Sequence, residues 1–316
     1  MGVKEVKTGL LSHAACVQHE MGSFHPECPA RIAAVQDRLV SAGLAPHLEY
    51  IEAPMAPIDA LERAHDSDYI DMLQSNIPGE GYFVLDPDTM MCPQSWEAAV
   101  RAAGAVVEAT DRVMAGELTN AFCAVRPPGH HARPDTAMGF CLINSVGVGV
   151  LHALESHALE RVAVIDFDVH HGNGTEEILA GIPDSEHRVM MASFFQHPFY
   201  PYSGTENRMD NMVNVPLPAG SDGRHVRKVV EEIWMPRLEK FRPQMIFISA
   251  GFDAHREDTL GQMGLVEDDY AFMTKRLMDL AKRHCEDRIV SSLEGGYNLS
   301  ALGRAAAAHV RELARL

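Results

Sequence analysis

Two aspartates and two histidines follow a run of apolar residues, close enough together for shared chemistry: Asp166, Asp168, His170 and His171. Side chains alternate between the two faces of an extended segment, so Asp166, Asp168 and His170 are expected on one face. Carboxylate and imidazole groups suit Zn²⁺, and also Mn²⁺ or Fe²⁺. The spacing therefore predicts a metal site, against the alternative of an Asx-rich turn with solvated histidines.

A further carboxylate, Asp253, follows a second apolar run and a small Ala-Gly pair. Alone it would be ordinary turn chemistry, because aspartate is common in the turns that follow strands. Beside Asp168 and His170 it offers a third ligand. A catalytic zinc site uses three protein ligands and leaves one position open.

Two adjacent histidines, His130 and His131, end a turn that two prolines and a glycine stiffen. One imidazole can take a proton from a water as general base and later give it to a leaving amine as general acid. The other, when protonated, can stabilise a developing oxyanion. A lone histidine would more often be structural, but a rigid pair opposite a metal site indicates acid–base chemistry.

Tyr297 follows two glycines after another apolar run. The glycines permit a close approach of the loop, and the phenol can donate a hydrogen bond to a carbonyl oxygen that gains negative charge. A plain turn with a tyrosine beside it explains this segment equally well when the segment is considered alone.

Apolar runs that alternate with amphipathic stretches must position these residues. The predicted strands are residues 121–125, 161–167, 189–194, 245–249 and 288–292, and the predicted helices are residues 94–114, 144–157, 225–240, 268–284 and 301–316. This alternation predicts parallel βαβ units in a doubly wound α/β fold, with a single domain over residues 1–316. Ligands of such sheets bind beyond the carboxyl ends of the strands, where all four polar segments lie.

The composition restricts the class of partner. The 316-residue chain has 27 basic and 44 acidic residues and a net charge of −17, which argues against nucleic-acid binding and is compatible with basic ligands. No apolar run approaches the roughly 18 residues that span a bilayer, and residues 1–10 contain no signal-peptide core. The six cysteines form no Cys-x-x-Cys pair. We therefore expect a cytoplasmic protein with free thiols and no membrane partner.

The four polar segments, in this order, resemble the histone deacetylase superfamily, which includes bacterial acetylpolyamine amidohydrolases and acetoin-utilisation proteins. Further segments similar to family motifs are residues 25–32, 65–70, 139–144 and 203–205. The resemblance implies an arginase-deacetylase type of α/β fold. That fold is a single domain with a central, mostly parallel, eight-stranded sheet flanked by helices.

The resemblance also implies a role for each candidate residue. The matches are the zinc ligands Asp168, His170 and Asp253, the general base and acid His131, its electrostatic partner His130, oriented by Asp166, and the carbonyl-polarising Tyr297. The implied activity is zinc-dependent removal of an acetyl or other acyl group from an amine. Acetyl-lysine in proteins or peptides is the first expectation, and acetylpolyamines or small metabolites are the alternative.

Substrate and potassium sites are implied in the same way. Phe140 and Tyr200 match the aromatic walls of an acyl-lysine tunnel, and Gly139 matches the residue whose carbonyl receives the amide N–H. A structural K⁺ ion is also implied. Its candidate ligands are the carbonyls of Asp166, His170 and Phe194 and the side chains of Asp168 and Ser193.

Two positions depart from the family pattern. Asn173 stands behind His131, where many relatives have an aspartate. An amide can orient the imidazole but stabilises its protonated form less than a carboxylate does, so we expect a lower pKa for His131. Asparagine here is typical of the class II branch. Polyamine-selective members carry a glutamate near Leu260, and its absence disfavours a polyamine substrate.

Other assignments stay open. An arginase-like ureohydrolase would hold two Mn²⁺ ions, but the chain lacks the further aspartate of an Asp-x-His-x-Asp pattern and has His171 after His170. A non-catalytic, zinc-dependent acyl binder is a second alternative, and an oligomer is possible. A third alternative is a separate zinc site, although the spacing of its candidate ligands fits no standard zinc motif. Its candidate ligands are His13, Cys16, His19, His25 and Cys28.

Overall fold

A parallel β-sheet forms the centre of the computed structural model, which describes residues 6–206 and 209–316. The strands are β1 (Thr8–Ser12), β2 (Leu48–Glu52), β3 (Phe83–Asp86), β4 (Thr89–Met91), β5 (Asn120–Cys123), β6 (Val162–Asp166), β7 (Val189–Gln196), β8 (Met212–Leu217), β9 (Met245–Ala250) and β10 (Ile289–Leu293). Within the described residues, eight strands pair in the order β2-β1-β5-β10-β9-β6-β7-β8. All of these pairs are parallel, and β3 and β4 form a separate antiparallel hairpin.

Helices connect and cover the strands. They are α1 (Ala15–Gln18), α2 (Ala30–Ser41), α3 (Ile58–Glu62), α4 (Ser67–Ser75), α5 (Ser95–Met114), α6 (Ser145–Glu155), α7 (Asn173–Ala180), α8 (Ser185–Arg188), α9 (Gly223–Val229), α10 (Met235–Phe241), α11 (Glu267–His284) and α12 (Leu299–Leu313). A short 3₁₀ turn covers Ala45–His47, and a π-helical turn covers Val230–Trp234.

The central strands are apolar because helices cover the sheet. Every residue of β5, β6, β7, β9 and β10 is buried. Helices α5 and α6 pack together against the sheet, and α2, α11 and α12 form another packed group. The predicted α/β fold with an eight-stranded sheet is confirmed, and the sheet is wholly parallel where a mostly parallel one was expected.

All five predicted strands form, but three strands of the sheet are not predicted from the sequence. Two of them, β2 and β8, lie at the edges of the sheet and leave several residues partly or fully exposed. Edge strands carry more polar side chains, so their apolar pattern is weak. The third, β1, contains a glycine and has only five residues.

The predicted helix over residues 225–240 is interrupted. It divides into α9, the π-helical turn and α10, in which Pro236 is the second residue. Proline has no backbone N–H, so the regular bond to the carbonyl four residues earlier cannot form. The chain widens to a π-turn just before it, where Met235 N–H donates to the carbonyl of Val230.

No helix in the part of the chain that the structure describes is long and apolar enough to cross a membrane. Residues 1–5, which belong to the segment in which the sequence predicts no signal-peptide core, lie outside the described residues.

Gly104 lets a loop cross helix α5 in direct backbone contact. A Cβ atom at this position would overlap the carbonyl oxygen of Pro54 and lie 2.7 Å from the backbone nitrogen of Ala56. The same loop is held to the helix by Ala56 N–H, which donates to the Val100 carbonyl at 3.1 Å. A larger residue would therefore push the loop away from α5.

We predict that Gly104→Ala lowers the free energy of unfolding by about 1–3 kcal/mol, the usual effect of overpacking, although alanine is the better helix former. Gly181→Ala is the matched control, because Gly181 has a helical φ of −74° and a Cβ there would make ordinary contacts at 3.5 Å. Urea unfolding of both variants measures the difference. Equal stability of the two variants would contradict the close contact at Gly104.

Candidate functional site

Loops that follow parallel strands meet at one edge of the sheet. The predicted residues on them are His130 and His131 after β5, Asp168 and His170 after β6, Asp253 after β9, and Tyr297 after β10. Since β10 and β9 lie between β5 and β6, these loops are spatial neighbours despite their large separation in sequence.

The three predicted metal ligands converge. Asp168, His170 and Asp253 are buried, and their ligand atoms lie within 4.8 Å of one another. His170 Nδ1 is 3.0 Å from Asp168 Oδ1 and 3.2 Å from Asp253 Oδ2. The other Asp253 oxygen, Oδ1, accepts the Val169 backbone N–H at 2.8 Å, which fixes the carboxylate.

The route by which they converge differs from the predicted extended segment. Strand β6 ends at Asp166, and the chain bends over the next residues. Asp168 Oδ1 accepts the His170 backbone N–H at 2.9 Å, as in an Asx-turn, and this keeps the two side chains together. Asp166 faces His130 instead. The segment from Asp166 to His170 is therefore bent rather than extended, and a hydrogen-bonded turn, not strand alternation, keeps Asp168 and His170 together.

This donor set fits a divalent cation. Asp253 Oδ2 is buried and makes no hydrogen bond of acceptable geometry within the described residues. Burial and the neighbouring Asp168 carboxylate raise the pKa of Asp253 to about 7, so a positive charge here would stabilise its ionised form. Two carboxylates and an imidazole are ligands that zinc accepts.

His130 is the charged member of the histidine pair. Its Nδ1 donates to Asp166 Oδ2 at 3.0 Å, and its Nε2 lies 3.7 Å from Asp168 Oδ2. Burial opposes the charged imidazolium, but the carboxylates of Asp168 and Asp166 outweigh this effect and raise the pKa of His130 well above its ordinary value.

His131 is the neutral member. Its ring centre lies 4.0 Å from that of His130. Burial, and then the positive charge of His130, lower the pKa of His131 well below its ordinary value. Its Nδ1–H donates to Oδ1 of Asn173, the first residue of α7, at 2.8 Å, a tautomer assigned from this hydrogen bond. Nε2 therefore keeps its lone pair.

Glu294 holds the turn that carries both histidines, a role that the sequence does not indicate. Its Oε2 accepts the backbone N–H groups of Gly129 at 2.6 Å and His130 at 3.1 Å. Its Oε1 accepts the Ser249 hydroxyl at 3.2 Å. Burial raises the pKa of Glu294 to about 7. The side chain thereby joins the loop after β5 to the ends of β9 and β10.

A fully buried ion network supports the tyrosine loop. Glu27 accepts from Arg31 Nη1 at 2.9 Å and from Arg126 Nη2 at 2.6 Å. Burial would raise the pKa of Glu27, but the guanidinium groups of Arg126 and Arg31 lower it to about 2. Arg31 Nε donates to the Gly296 carbonyl at 2.7 Å, and the guanidinium lies 5.1 Å from the Tyr297 ring centre. From the sequence, residues 25–32, which contain Glu27 and Arg31, are recognised only as similar to a family motif.

Aromatic rings line the approach to these groups. The Phe140 and Tyr297 rings meet edge to face at 5.7 Å, and the Tyr200 ring is 5.3 Å from that of His131. Phe199, which the sequence does not single out, stacks on His170 at 5.4 Å. Both predicted wall residues, Phe140 and Tyr200, are therefore at the site.

Gly139 brings the backbone against a histidine. It has a φ of +57°, and a Cβ atom there would collide with the His131 ring, whose Cγ would be 2.8 Å away. Glycine is therefore required where the chain passes the imidazole.

Asp258 connects two loops of the site. Its Oδ1 accepts the Leu260 backbone N–H at 2.9 Å, and its Oδ2 accepts those of Tyr297 at 2.6 Å and Asn298 at 2.9 Å. The residue is buried. Its importance is not visible in the sequence, because an aspartate in a turn is ordinary.

The residues expected around K⁺ are also neighbours. Asp166, the last residue of β6, pairs with Ser193 in the middle of β7, and Asp168 N–H donates to Asp166 Oδ1 at 3.0 Å. Ser193 Oγ lies 3.3 Å from the Phe194 carbonyl oxygen. These four residues and His170 are all buried.

The alternative zinc site of histidines and cysteines does not assemble. His13 Nε2 pairs with Glu52 at 3.1 Å, His19 Nδ1 with Ser95 Oγ at 2.7 Å, and His25 Nε2 lies 3.2 Å from the Asp88 carbonyl. In the described part of the chain, none of the five candidates belongs to a group of three converging ligands. The His25 ring packs edge to face on Phe140 instead, with the ring centres 4.6 Å apart.

Comparisons with known proteins agree with this geometry. The family described as histone deacetylase domain matches residues 25–313. A probable deacetylase of Archaeoglobus fulgidus is 34% identical over 300 residues, which cover 92% of this chain and 82% of that protein. A histone deacetylase-like amidohydrolase of Pseudomonas aeruginosa is 37% identical over 289 residues, with 89% and 75% covered.

A solved structure, the crystal structure of the HDA15 HD domain, superposes with a TM-score of 0.90 at 31% identity, covering 98% of this chain and 88% of that chain. The family match spans most of the sequence, both relatives align with about nine tenths of it, and the solved structure shares the fold over 98% of the chain. The chain belongs to the histone deacetylase family.

Proposed function

We propose that this protein is a zinc-dependent amidohydrolase that removes an acetyl group from an amine, with acetyl-lysine in proteins or peptides as substrate. The observation that carries the proposal is the convergence of Asp168, His170 and Asp253 beside a histidine pair of unequal charge. Membership of a family of deacetylases supports the reaction type.

In this proposal Asp168, His170 and Asp253 hold one Zn²⁺ ion. When bound, the ion supplies Lewis acidity that polarises a carbonyl and lowers the pKa of a water. The Val169 N–H bond to Asp253 and the Gly295 N–H bond to Asp168, at 2.8 and 2.9 Å, orient the carboxylates for this purpose.

The histidines divide the proton chemistry. Neutral His131 takes a proton through Nε2 from the water that attacks the amide carbon, and later gives it to the departing amine. Charged His130, held by Asp166, stabilises the negative charge that develops beside it. Asn173 fixes the tautomer of His131 that leaves Nε2 free.

Tyr297 donates its hydroxyl proton in a hydrogen bond to the carbonyl oxygen. Burial raises the pKa of Tyr297 well above its ordinary value, so the phenol stays protonated and remains a donor. Asp258 is a positioning residue, because it binds the backbone of Tyr297 rather than the substrate.

Phe140 and Tyr200 form the tunnel walls in this proposal, and the Gly139 carbonyl accepts the amide N–H. Polyamine-selective relatives carry a glutamate near the position of Leu260, and its absence favours acetyl-lysine. The alternative substrates are acetylpolyamines and small acetylated metabolites. The net charge of −17 suits basic peptides.

A structural K⁺ ion is also part of the proposal. It is bound by carbonyls of Asp166, His170 and Phe194 and side chains of Asp168 and Ser193.

In the same proposal residues 1–316 act as one catalytic domain in the cytoplasm, without nucleic-acid or membrane partners. Some plant relatives are named as chloroplastic, so the compartment varies within the family.

A binuclear manganese ureohydrolase is disfavoured. His171, the residue after His170, contacts Glu176 at 2.5 Å through Nε2 and Ser203 at 2.9 Å through Nδ1. Both of its ring nitrogens therefore have partners away from the three ligands, and no additional bridging carboxylate is contributed by this segment.

The test is hydrolysis of a fluorogenic acetyl-lysine peptide by the zinc-loaded protein, beside acetylated polyamines and a trifluoroacetyl-lysine peptide, with a hydroxamate as inhibitor. Hydroxamate-sensitive turnover of acetyl-lysine supports the proposal, and preference for polyamines corrects the substrate. Binding of hydroxamate without turnover of any amide would favour a non-catalytic acyl binder.

We predict that Tyr297→Phe lowers kcat by about 10²–10³-fold, the usual loss when one oxyanion donor is removed, with little change in KM. Tyr202→Phe is the control, because Tyr202 is 71% exposed in the loop after β7. Steady-state kinetics of both variants on the acetyl-lysine peptide measure the effect. Full activity of Tyr297→Phe would remove the tyrosine from the mechanism.

Asn173→Asp is expected to move the acidic limb of the kcat/KM profile to higher pH. A carboxylate 2.8 Å from Nδ1 would stabilise protonated His131 and raise its pKa, and the base is active only when neutral. Asn173→Ala, which removes the partner without adding charge, should lose activity without this upward shift. A pH profile unchanged by the aspartate would exclude His131 as the base.

Asp258→Ala should lower kcat by about 10²-fold while KM changes less, because loss of its bonds to Tyr297 and Asn298 displaces the donor rather than the binding tunnel. Asp258→Asn keeps one acceptor oxygen, so its kcat should lie between those of the parent protein and Asp258→Ala. Separate measurement of kcat and KM distinguishes a positioning role, whose loss lowers kcat, from a substrate-binding role, whose loss raises KM. A change confined to KM would contradict the positioning role.

A further inference from the structure

A second group of three possible metal ligands, Asp111, His152 and His157, lies where the carboxyl ends of α5 and α6 meet. His152 Nε2 and His157 Nε2 both approach Asp111 Oδ1, at 2.7 and 2.6 Å. The two imidazole rings meet edge to face with their centres 5.3 Å apart. Among the described residues, only this group and the group around Asp253 place three such ligand atoms within 4.8 Å of one another.

The three side chains come from two packed helices. Asp111 lies in the last turn of α5, His152 lies in the last turn of α6, and His157 follows in the turn before β6. Because α6 ends before β6 begins, this cluster lies toward the amino end of β6. Asp168 and His170 follow its carboxyl end, so the two groups of ligands are separated by the length of the strand, about 17 Å.

We propose that Asp111, His152 and His157 form a second divalent-cation site, selective for zinc-like ions, that clips α5 to the end of α6. Two imidazole nitrogens and a carboxylate oxygen suit Zn²⁺ better than Mg²⁺ or Ca²⁺, which prefer oxygen ligands alone. Bonds of about 2.0–2.2 Å in a tetrahedral arrangement need ligand atoms roughly 3.3 Å apart. The two imidazole nitrogens now lie 2.7 and 2.6 Å from Asp111 Oδ1, so each must move away from the carboxylate oxygen by roughly 0.6–0.7 Å to reach this spacing.

The local field favours a cation. The carboxyl ends of α5 and α6 converge here, and each presents the negative end of a helix dipole. The side chains of Asp111, His152 and His157 are 46%, 13% and 23% exposed, so an ion can enter from solvent and keep a water in its remaining position.

The positively charged side chain of Arg63 lies beside the cluster of Asp111, His152 and His157. Arg63 Nη1 is 3.4 Å from His152 Nδ1, the ring nitrogen that faces away from Asp111. When Nε2 binds an ion, Nδ1 carries the proton and this long contact is lost. Arg63 keeps its bonds to Asp59 at 3.0 Å and Ser156 Oγ at 3.0 Å, so the guanidinium does not depend on His152.

The test counts zinc sites by titrating the metal-free, full-length protein with Zn²⁺ against a chromogenic chelator. We expect two sites in the parent protein and one in His157→Ala and in Asp111→Asn, a twofold reduction, with amide hydrolysis unchanged. His187→Ala is the matched control, because His187 also pairs with an aspartate, Asp184, at 2.7 Å on the surface. It should keep both sites.

The number of bound Zn²⁺ ions tests the second site. Hydroxamate-sensitive turnover tests the catalytic proposal separately. The second site is overturned if His157→Ala or Asp111→Asn binds as many Zn²⁺ ions as the parent protein, whatever that number is. Loss of a site in His187→Ala as well would show adventitious binding by surface histidines and also overturn it. Circular dichroism of each variant confirms that it is folded before its sites are counted.

Discussion

Buried negative charge governs the arrangement of the sheet edge that carries the candidate site. Asp166, Asp168, Asp253 and Glu294 are fully buried within a few loops of one another. Carboxylates in a dry interior repel and are costly unless positive charge or hydrogen-bond donors compensate them. The surroundings are organised accordingly: His130 is held charged, backbone N–H groups point at the carboxylates, and three ligand atoms are left to face a cation.

The same constraint explains why the histidines differ although they are neighbours. His130 lies between two carboxylates and gains a proton, whereas His131 faces an amide and the charge of His130, and stays neutral. Asn173 strengthens this contrast, because its amide adds no negative charge behind His131. The charged and the neutral imidazole thus differ because of what stands behind each ring rather than because of residue type.

The residues that carry chemistry could be predicted because they are unusual in sequence. Clusters such as Asp168 with His170, or His130 with His131, have few structural explanations, and the apolar strands before them locate them at one edge of a parallel sheet. Glu294 and Asp258 could not be predicted, because their main partners are backbone N–H groups of other loops. The Glu27 network could not be predicted either, because Arg126 is 99 residues away from Glu27 in the sequence. The helix interruption before Pro236 and the edge strands β2 and β8 depend on local backbone bonding and partial exposure, which apolar periodicity does not report.

The strand order has a consequence for how the protein is made. The loops bearing His130 and Asp168 follow β5 and β6, yet β10 and β9, the last strands of the sheet to be synthesised, lie between them. Neighbouring strands are about 4.8 Å apart, so two inserted strands set β5 and β6 about 14 Å apart at a fixed distance. A nascent chain that ends before β9 has neither this spacing nor Asp253, so the three converging ligands cannot assemble until the final quarter of the chain joins the sheet.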